Sequence, residues 1–597
     1  MMISVGGLPP VLAQMGAIGA PAEGPGKRGA WGYAGPAPGL GVSPTGNLPD
    51  RQAWGPPYIG RARVAGFRYA QGMKQHALRG GLAVILGLVL VAASGPRADA
   101  APARDDKDKL APPPAVTTGS VATRAPGPAV GAGKAGGGEE TIAYRATAGV
   151  LPLLDEKLKP KAQVFYVAYE RLENGEPMPA GSRPITFAFN GGPGSSSVWL
   201  HLGALGPVRV KMGPEGEVVK AAGELVPNDA TWLRFTDLVF IDPVSTGYSR
   251  AEDDQDPKQF HGLDEDARAV GDFIRLYLTR AQRWQSPKYL TGESYGTTRA
   301  SVLAADIQSR LGVFLDGVVL VSPILQFQTT SFEVGNDVVY PLYLPSYTAT
   351  AWHHKKLSGP LAADLSAAVA ASEVFARTEY TLALMEGSDL APARRDAVAQ
   401  RLSELTGLSK AYILLCDLRP TLGQFTKELL RDRGLTVGRL DSRYTGVDRS
   451  AVRETPEYDP SYAAIQGHYT AALNTYVRGT LKFESDLNYE ILTGNVHPWN
   501  YPQRNRYANV AESLRSAMSF NPNLRVLALS GHYDFATPQY AMRYTIAHMG
   551  LSAAQRARIS QVFYASGHMM YVRDADRIKV YDDVAAFYAG GQPDERR

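Results

Sequence analysis

Short, nearly continuous apolar runs alternate with longer stretches in which apolar positions recur every three to four residues. The runs are residues 163–169, 184–189, 236–242, 288–291, 317–321, 524–529 and 559–564. Their length and their β-branched and aromatic content predict buried strands. Between the third and fourth, residues 264–282 set Val270, Phe273, Ile274, Tyr277 and Leu278 at helical spacing. Further helices are predicted over 299–307 and from about residue 538. Strand, helix, strand alternation predicts a parallel sheet covered by helices. Between about 330 and 485 the strand signals fade, and Leu422, Phe425 and Leu429 share one face of a segment closed by Gly434. The expected architecture is an α/β domain with a mostly parallel central sheet flanked by helices. Residues 141–330 and 486–590 form its core, and a helical cap is inserted at 331–485.

The N-terminal part has a different pattern. Residues 1–72 are rich in glycine and proline and lack sustained periodicity, whereas Met73 opens a short basic segment. An apolar run follows from Leu82 to Ala93, then Ala98-Asp99-Ala100. This three-part form predicts a signal peptide over 73–100, cleaved at an A-x-A site. The run is about 12 residues, against the ~20 a spanning helix needs, which argues against a membrane anchor. Because signal peptides begin at an initiator methionine, Met73 is the expected start and 1–72 an over-extended or disordered segment. Residues 101–140, rich in Ala, Pro, Gly and charge, are expected to form a flexible linker.

Formal net charge is +4 on 62 basic and 58 acidic residues, too small at this length to predict a nucleic-acid or anionic-membrane partner. Cys416 is the sole cysteine, so no intramolecular disulfide forms. Export without disulfides suits a bacterial periplasm or the medium. The chain is therefore expected to be periplasmic or extracellular.

The chemistry collects just past the carboxyl ends of predicted strands, where open parallel sheets bind ligands. Asn190-Gly191-Gly192 follows one strand, and Ser294 follows another inside Gly292-Glu293-Ser294-Tyr295-Gly296. Asp534 and His568 follow two more. G-x-S-x-G suits a serine on a sharp strand-to-helix turn, and the order Ser, Asp, His is that of α/β-hydrolases. Serine needs a base to become a nucleophile, neutral imidazole can take its proton, and a carboxylate fixes the imidazole tautomer. Amides of the Gly191-Gly192 turn and of Tyr295 can receive the oxyanion. Singly, each of these residues has a bland explanation as a turn former or a structural histidine. Four in order, after four strands, do not.

Asn190 through Ser197, Phe240 through Ser249, Gly292 through Gly296, the Asp534 loop and the Gly567-His568 turn together resemble the serine carboxypeptidase family. The similarity runs over roughly residues 160–585. The resemblance implies an α/β-hydrolase with a helical cap that removes residues from peptide C-termini at acidic pH, without metal or cofactor. It implies Ser294, Asp534 and His568 as the triad and Gly192 and Tyr295 as oxyanion donors. Asn190, with Gly191 beside it, and Glu293 would hold the substrate's terminal carboxylate. Peptides are the implied partners. Three positions depart from the family pattern. Ser195 stands where many members have cysteine, and Ala204 where a second carboxylate often lies. Asp242-Pro243-Val244 is one residue short. With Ala204 in place, a weaker free-acid preference is expected. An esterase or acyltransferase using the same triad, and a peptide-binding protein without catalysis, are the alternative readings.

Two other features are set aside. Gly131 through Gly136 has the G-x-G-x-x-G form, but no strand precedes it. His353-His354 is adjacent on a predicted helix, and adjacent helical residues do not face each other to share a metal. Trp499 is expected in the core or at the pocket mouth.

Overall fold

Nine strands of the central sheet run in the order β1-β2-β3-β5-β4-β6-β7-β8-β9. They are β1 (Ala115–Thr123), β2 (Glu140–Leu154), β3 (Pro160–Glu173), β4 (Ile185–Phe189), β5 (Asp237–Ile241), β6 (Lys288–Glu293), β7 (Gly317–Val321), β8 (Arg525–Gly531) and β9 (Ile559–Tyr564). The computed structural model describes residues 113–127, 138–219 and 223–591, all within one unit of the chain. β1, β2 and β3 pair antiparallel, as do β3 and β5. The other six strands are parallel neighbours. Every residue of β4, β5 and β7 is buried, as expected for strands covered on both faces.

The connections set the position of the site. After β4 the chain moves to β5 on one side, and after β6 it moves to β7 on the other. Strands β4 and β6 are adjacent, so the connections diverge at their carboxyl ends and open a crevice there. Asn190 and Ser294 are the first residues past those two strands.

The helices that matter here are α1 (Leu263–Arg280), α2 (Tyr295–Leu311), α3 (Val339–His353), α4 (Pro392–Thr406), α5 (Pro460–Gly479), α6 (Ala511–Phe520), α7 (Gln539–Ala547) and α8 (Asp574–Tyr588). Apolar side chains of α1, α2 and α6 pack on one sheet face, and those of α5 and α8 on the other. The inserted region has its own apolar core, in which Tyr343 and Tyr347 of α3 meet Leu402 of α4 and Phe425. Phe535, from the loop after β8, joins that core and ties the insertion to the sheet. Helix α5 is different: its Ile465, Tyr469, Leu473 and Tyr476 belong to the sheet's own core.

One sequence expectation is corrected. Residues 115–123 lie inside the stretch read as flexible linker, yet they form β1, paired with β2 over nine residues. Alternating burial along β1 explains the strand, and its small, polar composition explains why no apolar run announced it. The expected signal peptide, the segment before it and the Gly131 to Gly136 run lie outside the described residues.

Candidate active site

Ser294 sits between β6 and α2 at φ 59° and ψ −128°, a left-handed conformation that costs energy for a residue with a side chain. Packing enforces it. A Cβ on Gly292 would lie 2.2 Å from Gly296 O, and one on Gly296 would lie 2.7 Å from Phe189 O. The two flanking glycines therefore let β6 turn straight into α2, with Ser294 at the apex facing a cavity of about 400 Å³.

His568 faces the same cavity from the loop after β9. Its Nδ1–H donates to Asp534 Oδ2 at 2.7 Å, which leaves Nε2 as the acceptor nitrogen. Asp534 is inaccessible to solvent and is held by further donors: Ala536 N and Thr537 N to Oδ1, and Thr537 Oγ1 to Oδ2. Ser322 Oγ donates to the His568 carbonyl at 2.6 Å and His568 N donates to Leu440 O, fixing the backbone that carries the ring. Burial alone would lower the His568 pKa, but the Asp534 carboxylate and Glu293 outweigh it and hold the imidazole above its ordinary value.

The glycine turn after β4 faces Ser294. A Cβ on Gly191 would lie 2.4 Å from Tyr295 N, so this glycine keeps the approach to that amide open. Gly192, at φ +101°, lines the cavity with it. Tyr295 itself is buried, and its hydroxyl accepts the indole N–H of Trp499 at 2.9 Å. Trp499 therefore braces the residue that follows Ser294.

Asn190 is fixed on two sides. Its Oδ1 accepts Leu200 N at 3.0 Å, which turns the amide nitrogen toward Glu293. Its carbonyl accepts Arg299 Nη1 at 2.6 Å, and Arg299 Nε donates to Asp266 Oδ2 at 2.6 Å in a fully buried pair. Glu293 is buried at the cavity wall, where it receives a hydrogen bond from Tyr571 Oη at 2.6 Å. Burial raises its pKa to about 7. His568, Tyr571 and Asn190 pull the other way, and Asp534 adds to the rise.

Asn190, Gly191, Gly192, Glu293, Ser294 and His568 thus line one cavity, with Tyr295 and Asp534 directly behind. A larger cavity of about 860 Å³, walled by Asp337, Leu384, Tyr540 and Arg543, holds none of them. His354 accounts for one of the paired histidines differently, since its Nε2 meets Ser442 O at 2.7 Å. Ser195, at the position where the resemblance has cysteine, hydrogen-bonds Ser196 O and accepts Trp199 Nε1–H. Sequence reading missed Thr537, Tyr571 and the wall residues Tyr462 and Ile465 of α5. Thr537 stands three residues after Asp534, a spacing that suits a self-closing turn around the carboxylate. The insertion's residues carried no comparable signal.

A mixed sheet, parallel from β5 to β9, with a strained serine at its switch point and a His–Asp pair from later strand ends defines an α/β-hydrolase. The serine carboxypeptidase family profile (Peptidase S10) matches residues 139–582, about three quarters of the chain. The chain belongs to that family. Among curated proteins it is similar to serine carboxypeptidase-like 51 of Arabidopsis thaliana, 32% identical over 174 residues, 28% of this chain and 34% of that protein. It is also similar to the pheromone-processing carboxypeptidase KEX1 of Yarrowia lipolytica, 32% identical over 144 residues, 23% of this chain and 21% of that one. The match thus spans only about a third of the length of the first of these relatives. A crystal structure of KEX1(Δ)p, a prohormone-processing carboxypeptidase from Saccharomyces cerevisiae, aligns with a TM-score of 0.44 at 17% identity. That alignment covers 75% of this chain and 91% of that one.

Proposed function

We propose that this protein is a serine carboxypeptidase that removes C-terminal residues from peptides through an acyl-enzyme. The observation that carries the reading is Glu293: a buried carboxyl with a pKa of about 7, beside Ser294 and in reach of the Asn190 amide. An ionised carboxylate there would repel both a developing oxyanion and a peptide's terminal carboxylate. Protonated, it becomes a donor, and with Asn190 Nδ2–H it binds the terminal carboxylate. Ser294 Oγ then attacks the carbonyl of the last peptide bond while His568 Nε2 takes its proton, and Asp534 stabilises the imidazolium. Gly192 N–H and Tyr295 N–H receive the oxyanion. Collapse breaks the C–N bond, His568 returns the proton to the leaving amine, and the free amino acid departs. Water attacks the Ser294 ester by the same route and regenerates the enzyme.

The test is mass-spectrometric digestion of a mixed peptide library. Successive single-residue losses from free C-termini support the reading, and internal cleavage contradicts it. Hydrolysis of simple esters alone would favour the esterase alternative. The basic segment, apolar run and Ala98-Asp99-Ala100 support export to a bacterial periplasm or the medium, with the working chain starting near Ala101.

A further inference from the structure

Tyr571 lies three residues beyond His568, in the 3₁₀ turn Met570–Val572, and is 3% exposed. Its hydroxyl donates to Glu293 Oε2 at 2.6 Å. Burial and the Glu293 charge raise the phenol far above its ordinary pKa, so it stays a donor throughout the working range. The ring occupies space that other residues leave for it. A Cβ on Gly203 would lie 2.4 Å from Tyr571 Cε2, and the next residue is Ala204. The missing second carboxyl at Ala204 is thus accompanied by a phenol on Glu293.

The two arrangements differ in what they do to a proton. A second carboxyl would share one with Glu293 and keep it neutral, because two adjacent carboxylates repel. A phenol has its own proton to give, and giving it to Oε2 stabilises the ionised carboxylate. Asn190 acts in the same sense, since its oxygen is already committed to Leu200 N and only its N–H groups face Glu293. The remaining ionisable groups around Glu293 are His568 from the same loop as Tyr571, Asp534 from the loop after β8, and Tyr469 from α5. With Oε2 accepting from the phenol, the proton of the neutral carboxyl is assigned to Oε1, on a residue that lines the cavity.

We propose, resting on the carboxypeptidase reading, that Tyr571 is a positioning residue that aims the Glu293 proton at the substrate's terminal carboxylate and sets the upper pH limit of free-acid hydrolysis. Removing its hydroxyl withdraws a donor from the ionised form, so Glu293 should keep its proton to higher pH.

The experiment is kcat/KM against pH for one peptide as free acid and as C-terminal amide, in wild type and Tyr571→Phe. The expected result is a free-acid alkaline limb moved up by about one pH unit, the order expected for one hydrogen bond to a charged group. KM for the free acid at low pH should rise several-fold from looser aim, and the amide profile should keep its wild-type shape. A limb that stays in place in Tyr571→Phe, while free acid and amide still differ in wild type, overturns this role for Tyr571 and leaves the carboxypeptidase reading standing. Coincident wild-type profiles for the two substrates would instead remove the carboxylate-reading role of Glu293, and this inference with it. Gly203→Ala keeps the phenol but sets a methyl against the Tyr571 ring and the Tyr469 hydroxyl, so the ring must shift and the same limb must move upward. If Tyr571→Phe does not fold, an unmoved limb in Gly203→Ala overturns the proposal.

Discussion

His568 Nδ1 stands 2.7 Å from Asp534 Oδ2, and three donors from Ala536 and Thr537 hold that carboxylate where it is. An aspartate so fully satisfied cannot rotate away, so the imidazole tautomer is set before substrate arrives. Asp534→Asn should keep the geometry but invert the polarity toward Nδ1, lowering kcat by about 10⁴. His568→Ala should cost a similar amount, and the double variant little more than either alone. Steady-state kinetics on one peptide checks all three. A full product of the single effects in the double variant would mean that the two residues do not act as a unit.

In the proposed mechanism the pH profile follows from two groups with opposite requirements. His568 must be neutral to act as base, and its pKa is held above its ordinary value, so activity should rise through that pKa as pH increases. Glu293 must be protonated to bind a terminal carboxylate, so activity on free acids should fall as pH rises through about 7. Free-acid kcat/KM should therefore be a narrow bell near neutrality, and the amide should climb to a plateau. In Glu293→Gln the free-acid alkaline limb should disappear. A wild-type optimum far below pH 6 would contradict the assignment of the acid limb to His568.

Arg299 locks the floor of the site by bonding both Asp266 and the Asn190 carbonyl from a fully buried position. Arg299→Met leaves the Asp266 charge buried without a partner, which should destabilise the fold by about 3–5 kcal/mol. Urea unfolding measures this, and Asp266→Asn combined with Arg299→Met should recover part of the loss. A single-variant loss below about 1 kcal/mol would show that water or another group replaces the guanidinium.

The proposed export makes a separate prediction. N-terminal mapping of protein recovered outside the cytoplasm should begin near Ala101, after the Ala98-Asp99-Ala100 site. Recovery of an exported form that still carries residues 82–93 would contradict cleavage there.

The sheet and the residues at its carboxyl edge were legible because buried parallel strands are written as continuous apolar runs, and parallel connections bring their ends to one edge. Asn190, Ser294, Asp534 and His568 are each local to a strand end, so sequence position fixes their place in space. What was hidden depends on contacts between distant segments. β1 has no apolar run and gains its order from pairing with β2. Tyr571 reaches Glu293 across 278 positions of sequence, and Arg299 reaches Asn190 across 109. Helix α5 reads as one more amphipathic helix of the insertion, and only packing assigns its buried face to the sheet.

The strained turn at Ser294 is central, because it brings that residue to the cavity that Asn190, Gly192, Glu293 and His568 also line. Its most direct test is reaction with a fluorophosphonate followed by intact-mass and peptide mapping. One adduct on the peptide containing Ser294 is predicted, with no labelling of Ser294→Ala and a loss of turnover on the order of 10⁴ or more in that variant. An adduct on another residue, or undiminished labelling of Ser294→Ala, would contradict it.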